Sequence, residues 1–233
     1  MKKLKINRLD WDSNFFKLEV GEAVVSAHSE IDPVSVTYFD LIVVKQTENR
    51  TIEIDHFQSD FQETKVVFSK KLDVIVSNEK SEKLFDTDED PIQTPSLYPL
   101  AYESGKYSRF KLDSHFSENQ FQDLYNKWID NSLNKQFADK VFYTMESNCI
   151  CGFVTIKKHF AHATIGLIAV ADDKQGKGYG SQLLKKAEHY CISEAIFELQ
   201  IPTQKENLTA CNFYTKHGYT IFEETIIKHY WKK

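Results

Sequence analysis

The stretch Gln175-Gly176-Lys177-Gly178-Tyr179-Gly180 places three of the chain's eight glycines at alternate positions. Before it, residues 164–170 form an apolar, β-branched run that predicts a buried strand. After it, apolar residues recur at helical spacing. Glycine lets the backbone turn tightly and approach a ligand, and the first N–H groups of a helix are unpaired donors that face an anion. The stretch therefore predicts a loop that holds a pyrophosphate between a strand and a helix.

Two widespread nucleotide-binding motifs do not fit this loop. The dinucleotide fingerprint needs glycines at its first, third and sixth positions, but the sixth position counted from Gly176 is Ser181. The P-loop needs Ser or Thr after Gly-Lys, whereas Lys177 is followed by Gly178. A glycine-rich turn without a ligand is the alternative interpretation of the same residues.

A second segment, residues 207–219, reads Asn-Leu-Thr-Ala-Cys-Asn-Phe-Tyr-Thr-Lys-His-Gly-Tyr. Its apolar spacing, its late basic residues and Gly218 are typical of a short helix that ends at the glycine. The loop, as Gln-x-x-Gly-x-Gly, and this segment, as Asn-x-x-Ala-x-x-Phe-Tyr-x-x-x-Gly-Tyr, resemble two motifs of the GNAT acetyltransferases, in that family's order. The resemblance implies an α/β structure, the GNAT acetyltransferase fold, with a mixed, mostly antiparallel central sheet.

The same resemblance implies acetyl-CoA as the acyl donor and gives each motif a role. The strand Ile168-Ala169-Val170 would separate from its neighbour and pair with the pantetheine. Backbone N–H groups of the loop would hold the pyrophosphate. These loop residues are Gln175, Gly176, Lys177 (which would also add charge), Gly178, Tyr179, Gly180 and Ser181. Asn207 would fix the pantetheine or phosphate arm, and Tyr214 would donate a proton to the coenzyme A sulfur.

Composition disfavours several other classes of protein. The net charge of −5 argues against a dedicated nucleic-acid or anionic-membrane binder. No apolar run has the length of a transmembrane helix, and the basic N-terminus lacks the apolar stretch of a signal peptide, so the expected location is the cytoplasm. The four cysteines show no metal-ligand spacing, and we expect them to be reduced and structural, with no metal site.

The length of 233 residues exceeds what one GNAT domain needs and predicts a second unit. Residues 81–99 are acidic and punctuated by proline, which is typical of a linker or surface loop. We therefore predict a small N-terminal α/β domain over residues 1–90 and the GNAT domain over residues 91–233.

Local patterns predict the elements within each part of the chain. In the N-terminal part they indicate strands over residues 16–20, 41–44, 64–69 and 72–76, with a short helix over residues 52–61. In the second part, Ser117 and Gln120 form a capping-box pair before an amphipathic helix. Strands follow near residues 141–145, 150–157 and 163–169.

Within the family, the chain is similar to the TDP-fucosamine acetyltransferases, which N-acetylate a dTDP-linked 4-amino-4,6-dideoxy sugar. The similar residues are Trp11-Asp12-Ser13-Asn14-Phe15-Phe16, Ser108-Arg109-Phe110 and residues 125–131, together with residues 203–214. This resemblance implies acetylation of a dTDP-linked amino-deoxy sugar for surface polysaccharide or lipopolysaccharide precursors. Asp12 and Arg109 are the candidate substrate contacts, since a guanidinium can pair a phosphate at two points. Phe213 departs from the pattern, because those enzymes have a basic residue at this position. The resemblance therefore does not imply the contact to coenzyme A that the basic residue would make.

The sequence leaves three questions open: the acceptor, the general base and the oligomeric state. The acceptor amine could belong to a peptide N-terminus, a polyamine or an antibiotic, or the chain could be a catalytically silent coenzyme-A-binding scaffold. The general base could be Asp12, Glu103, Asp113 or a water relay. The resemblance does not decide between a monomer and a homodimer.

Overall fold

The computed structural model describes residues 2–26, 29–31, 36–73 and 84–233. The strands are β1 (Lys2–Leu4), β2 (Asn7–Arg8), β3 (Val20–Val25), β4 (Ser29–Ile31), β5 (Leu41–Gln46), β6 (Phe57–Lys71), β7 (Leu84–Asp86), β8 (Lys140–Glu146), β9 (Cys149–Lys158), β10 (Ala163–Val170), β11 (Glu198–Gln204) and β12 (Thr220–Lys232). The helices are α1 (Asp10–Phe16), α2 (Tyr98–Gly105), α3 (Arg109–Leu112), α4 (Glu118–Leu133), α5 (Tyr179–Ser193) and α6 (Leu208–Lys216), with short 3-10 helices at Thr94–Leu97 and Asp172–Lys174.

The main sheet has the strand order β2-β3-β5-β12-β6-β11-β10-β9-β8-β7. β3 pairs with β5 and β10 with β11 in parallel, whereas the other neighbours are antiparallel. The predicted mixed, mostly antiparallel sheet is therefore confirmed. A separate parallel pair joins β1 to β4.

Strand β6 enters the middle of this sheet from the N-terminal part of the chain. It lies between β11 and β12, with Lys65 opposite Gln204 and Glu63 opposite Ile227. Residues 1–90 thus supply strands to the same sheet as residues 91–233. The division into two domains stays a prediction.

Two predicted elements in the N-terminal part are wrong. Residues 52–61 form no helix, because β6 begins at Phe57 and pairs along its length with β12. Helix α1 ends at Phe16, and the nearby strand begins only at Val20. In both places pairing and packing with distant residues outweigh a weak local pattern. The predicted strand over residues 72–76 lies outside the described residues from residue 74 onward, and Leu72 and Asp73 are not in a strand.

Apolar layers cover both faces of the sheet. One face packs against α2 and α4, with Leu124, Ile129 and Phe153 in its core. The other packs against α5 and α6, with Leu183 and Leu199 in its core. The predicted capping box of α4 is present: the Gln120 backbone N–H donates to Ser117 Oγ at 3.3 Å, and the Ser117 backbone N–H donates to Gln120 Oε1 at 2.9 Å.

Candidate active site

A gap between two parallel strands opens into a cavity. β10 and β11 pair at only two positions, Ala163 with Leu199 and Thr164 with Gln200. Beyond them the strands diverge, and both line a cavity of about 860 Å³. Residues Ile168, Ala169 and Val170 all line this cavity. An interrupted ladder leaves backbone donors and acceptors that an extended ligand can pair with.

The glycine loop forms one end of the cavity. Gly176 and Gly178 have φ values of +75° and +87°, in the left-handed region that glycine adopts without strain. A Cβ at either position would meet no atom within 4 Å, so the loop is an open cradle. Helix α5 begins at Tyr179 and has no acidic residue in its first turn. Its unpaired N–H groups and partial positive charge suit a phosphate anion.

Side chains of the loop mainly fix its shape. Gln175 Nε2 donates to Asp172 Oδ1 at 2.9 Å and to the Val170 carbonyl at 3.2 Å. Ser181 Oγ lies 2.9 Å from His217 Nε2, while His217 Nδ1 lies 2.8 Å from the Phe213 carbonyl. Since a carbonyl can only accept, Nδ1 carries the hydrogen, and in the neutral ring Nε2 accepts from Ser181. The backbone is left to contact a ligand.

Glu146 contacts three polar side chains beside the glycine loop. Its carboxylate lies 2.7 Å from Lys174 Nζ and 3.7 Å from Lys177 Nζ, and it accepts from the Tyr179 hydroxyl at 2.8 Å. The hydrogen bond from Lys174, followed by that from Tyr179, lowers the pKa of Glu146 to about 2. Lys174 lines the cavity, whereas Lys177, the predicted source of charge, does not.

Helix α6 brings the second motif to the cavity wall. Asn207 Oδ1 caps the helix by accepting from the Ala210 backbone N–H at 3.1 Å, which leaves its amide N–H groups for a ligand. Tyr214 lines the cavity and is 4% exposed, with its ring centroid 5.5 Å from that of Phe68. Burial raises the pKa of Tyr214 well above its ordinary value, so its hydroxyl keeps its proton at neutral pH.

The other end of the cavity combines charged and aromatic side chains. The residues here are Trp11, Asp12, Glu63, Lys65, Tyr107, Arg109, Tyr125 and Trp128. Glu103 also lines the cavity but lies nearer the glycine loop, because its partner Lys106 has its Nζ 3.6 Å from Asp172 Oδ1. Burial raises the pKa of Asp12, and the positive charge of Arg109 opposes that rise. Burial also lowers the pKa of Lys65, which has Lys45 and Arg109 as positive neighbours. The predicted substrate contacts Asp12 and Arg109 thus line one cavity together with the predicted cofactor contacts other than Lys177.

Sequence reasoning missed Glu63 and Lys65. Glu63 is 5% exposed, and its Oε2 is buried without a hydrogen-bond partner. Burial raises the pKa of Glu63 to about 6, although Arg109 opposes the rise. The available signal was a carboxylate at an inward position of an alternating strand, between Phe61 and Lys65. Residue 63 lay between the predicted helix over residues 52–61 and the predicted strand over residues 64–69, so the alternation was not recognised there.

Asp113, one of the candidate bases, does not line the cavity. Its carboxylate accepts from Trp231 Nε1 at 2.9 Å, from His229 Nδ1 at 2.6 Å and from the backbone N–H of His115 at 3.0 Å. Burial raises the Asp113 pKa, but these hydrogen bonds outweigh it and hold the pKa well below its usual range. Burial also lowers the pKa of His229. Asp113 is therefore a structural residue, and the expectation that it could be the base is wrong.

Neither a metal-binding cluster nor a membrane-spanning helix occurs among the described residues. They contain no group of three or more His, Cys, Asp or Glu side chains that could hold a metal ion. None of their helices combines the length and apolar character that crossing a membrane requires.

Comparison with known proteins places the motifs in context. The family model described as "Acetyltransferase (GNAT) family" matches residues 102–219. Streptothricin acetyltransferase A of Bacillus subtilis is 33% identical over 123 residues, which are 52% of this chain and 69% of that protein. The B. subtilis spore coat polysaccharide biosynthesis protein SpsD is 23% identical over 142 residues, 61% of this chain and 49% of SpsD. The chain thus spans about half the length of SpsD.

Solved structures share the fold at low sequence identity. A GNAT-family acetyltransferase from Colwellia psychrerythraea matches with a TM-score of 0.52 and 12% identity, over 86% of this chain and 69% of that one. At this identity the likeness concerns the fold alone.

Proposed function

The chain belongs to the GNAT family of acetyltransferases and takes its acetyl group from acetyl-CoA, and from this premise we propose that its acceptor is the amino group of a dTDP-linked amino-deoxy sugar. The observation that carries the proposal is one continuous cavity. Its lining includes the glycine loop, Tyr214 and a polar and aromatic group of side chains that can face a second substrate.

The acceptor end offers the groups that a sugar nucleotide needs. Arg109 and Lys65 supply cations for a diphosphate, and the guanidinium can pair it at two points. Trp11 is 37% exposed at the cavity and presents a ring on which a base or sugar can stack. Asp12 and Glu63 can receive the amine. The similarity to SpsD, whose name refers to polysaccharide biosynthesis, supports the same substrate class.

In this proposal each end of the cavity has a separate task. Backbone N–H groups from Gln175 to Ser181 hold the pyrophosphate of the donor, and the unpaired edge of β10 holds the pantetheine arm. Tyr214 donates a proton to the departing thiolate. The raised pKa of Tyr214 makes this transfer uphill, since a thiol ordinarily titrates near 8.5, and the transfer therefore depends on the developing thiolate lying against the hydroxyl.

A second acceptor class is favoured by a different observation. The 33% identity to streptothricin acetyltransferase A favours an antibiotic amine. Asp12 and Glu63 would suit a cationic acceptor of this kind, whereas Arg109 and Lys65 would repel it. A sugar nucleotide therefore needs the positive side chains at this end of the cavity, whereas a cationic antibiotic needs the negative ones.

A panel of acceptors tests the proposal. Release of free thiol from acetyl-CoA is measured with dTDP-linked 3-amino and 4-amino deoxyhexoses, with streptothricin and with polyamines. We expect turnover with a dTDP-amino sugar, and in Lys65→Met a KM for that sugar about tenfold higher, the effect of losing about 1.4 kcal/mol. Turnover with streptothricin alone, with a KM unchanged or lowered in Lys65→Met, would replace the sugar by an antibiotic.

A further inference from the structure

Glu63 reaches the cavity from a strand outside the segment that the family model matches. That segment covers residues 102–219, whereas Glu63 lies on β6, which is inserted between β11 and β12. Its neighbours across the cavity end include Arg109 on α3 and Tyr125 on α4. The fold therefore brings a carboxylate from a distant part of the chain to the acceptor end of the site.

The carboxylates near this site differ in what their oxygens contact. Asp113 accepts several hydrogen bonds away from the cavity. Glu103 and Asp12 also line the cavity, but Glu103 is ion-paired with Lys106 and Asp12 is only partly buried. Glu63 is buried, lines the cavity and keeps one oxygen, Oε2, without a hydrogen-bond partner. A buried acceptor atom without a partner is costly, and a ligand that donates to it removes that cost.

We propose that Glu63 is the catalytic base that accepts a proton from the acceptor's ammonium group, a role that rests on the proposed function. Before attack, one proton passes from R–NH₃⁺ to Glu63 Oε2, which leaves R–NH₂ and a neutral carboxylic acid. The nitrogen lone pair then forms the C–N bond to the thioester carbon, and the C–S bond breaks. Tyr214 gives its hydroxyl proton to the thiolate, and the second proton leaving the nitrogen restores Tyr214. Glu63 later returns its proton to water, so one proton is released in each turnover.

The charged groups around Glu63 fit this role. Burial raises its pKa to about 6, the positive charge of Arg109 and the Arg109 backbone N–H lower it, and the negative charge of Glu206 raises it. Lys65, on the same strand, also lowers it, and Tyr125 faces it from α4. Glu63 is therefore ionised at neutral pH, and its pKa is close enough to 7 for it to exchange protons quickly with an amine.

The test is the pH dependence of kcat/KM in Glu63→Gln beside the wild type. In the wild type we expect a limb that falls as pH drops through about 6. In Glu63→Gln we expect kcat/KM about 100-fold lower at pH 7, a deficit typical of a lost general base. The deficit should shrink steadily at higher pH, because solution then supplies the neutral amine. Glu63→Asp should restore part of the rate and keep the acidic limb.

The controls separate this proposal from the proposed function. Glu206→Gln removes an exposed carboxylate near Glu63 that does not line the cavity, and it should keep the acidic limb. Acetyl-CoA binding by calorimetry should be equal in wild type and Glu63→Gln. If the wild type turns over and the deficit of Glu63→Gln is the same at every pH, Glu63 is not the base. If the wild type transfers acetyl to no amine while still binding acetyl-CoA, the proposed function fails and this role fails with it.

Discussion

Tyr214 lies on the cavity wall, with its ring packed near Phe68. Tyr214→Phe removes the hydroxyl and keeps the ring, so the fold and acetyl-CoA binding should persist. We expect kcat to fall about 100-fold, within the range seen when a general acid is lost. Steady-state thiol release beside calorimetric acetyl-CoA binding measures both effects.

The matched control is Tyr219→Phe. Tyr219 is 1% exposed, belongs to the same apolar layer and donates its hydroxyl to Glu188 at 3.0 Å, but it does not line the cavity. This variant should lose stability rather than kcat. Equal turnover in Tyr214→Phe and wild type would remove Tyr214 from the mechanism.

Asp113 has a pKa below its unfolded value of about 3.9, so its ionised form stabilises the fold above that pH. His229 also has a lowered pKa, so the unfolded chain binds a proton more readily below about 6.5. Both groups therefore make the folded state less stable at acidic pH. We expect the free energy of unfolding to fall between pH 7 and 5, the range in which His229 contributes, and to fall further near pH 4 and below as the contribution of Asp113 is lost.

Asp113→Asn tests this structural role at constant pH. We expect a loss of about 3 kcal/mol at pH 7, since the variant replaces the charged acceptor of hydrogen bonds from His229, Trp231 and the His115 backbone by a neutral amide. Asp123→Asn, on an exposed position of α4, should change stability by less than about 0.5 kcal/mol. Denaturant titrations give both values. Full stability together with lost turnover in Asp113→Asn would instead make Asp113 catalytic.

The glycine loop can be tested as an element by comparing two glycines of the same backbone conformation. Gly178 and Gly218 have φ values of +87° and +83°, and a Cβ at either has room. Ala at either position should cost about 1 kcal/mol of stability, because a left-handed residue with a Cβ is strained. Only Gly178→Ala also fills the cradle, so only it should raise the Kd for acetyl-CoA, by tenfold or more. Equal Kd values in the two variants would discard the loop as the pyrophosphate site.

The donor end could be predicted from sequence because its parts are local. A strand, a glycine loop and a helix start are consecutive, and the segment with Asn207 and Tyr214 is a single short helix, so spacing indicates these elements and the resemblance to GNAT motifs gives their expected roles. The acceptor end could not be predicted in the same way. Glu63 and Lys65 face the cavity only because β6 pairs with β11 and β12, and such long-range pairing leaves little local signal.

For the whole molecule, the sheet links both ends of the chain. β12, near the C-terminus, pairs with β5 on one side and β6 on the other. Deleting residues 1–80 would remove both partners and expose the unpaired edges of β11 and β12. We expect the truncated protein to be insoluble or to lack a cooperative thermal transition. A soluble, cooperatively folded truncation that binds acetyl-CoA would show that the predicted N-terminal domain is separable.

We propose that the chain moves an acetyl group from acetyl-CoA to an amine bound at the end of the cavity lined by Arg109, Lys65 and Glu63. The most direct test incubates the purified protein with acetyl-CoA and dTDP-linked amino sugars, then measures released thiol and acetylated product by mass spectrometry. We expect one thiol for each N-acetylated sugar nucleotide, and loss of both products in Tyr214→Phe. Acetyl-CoA binding without an acetylated product from any amine offered would contradict it.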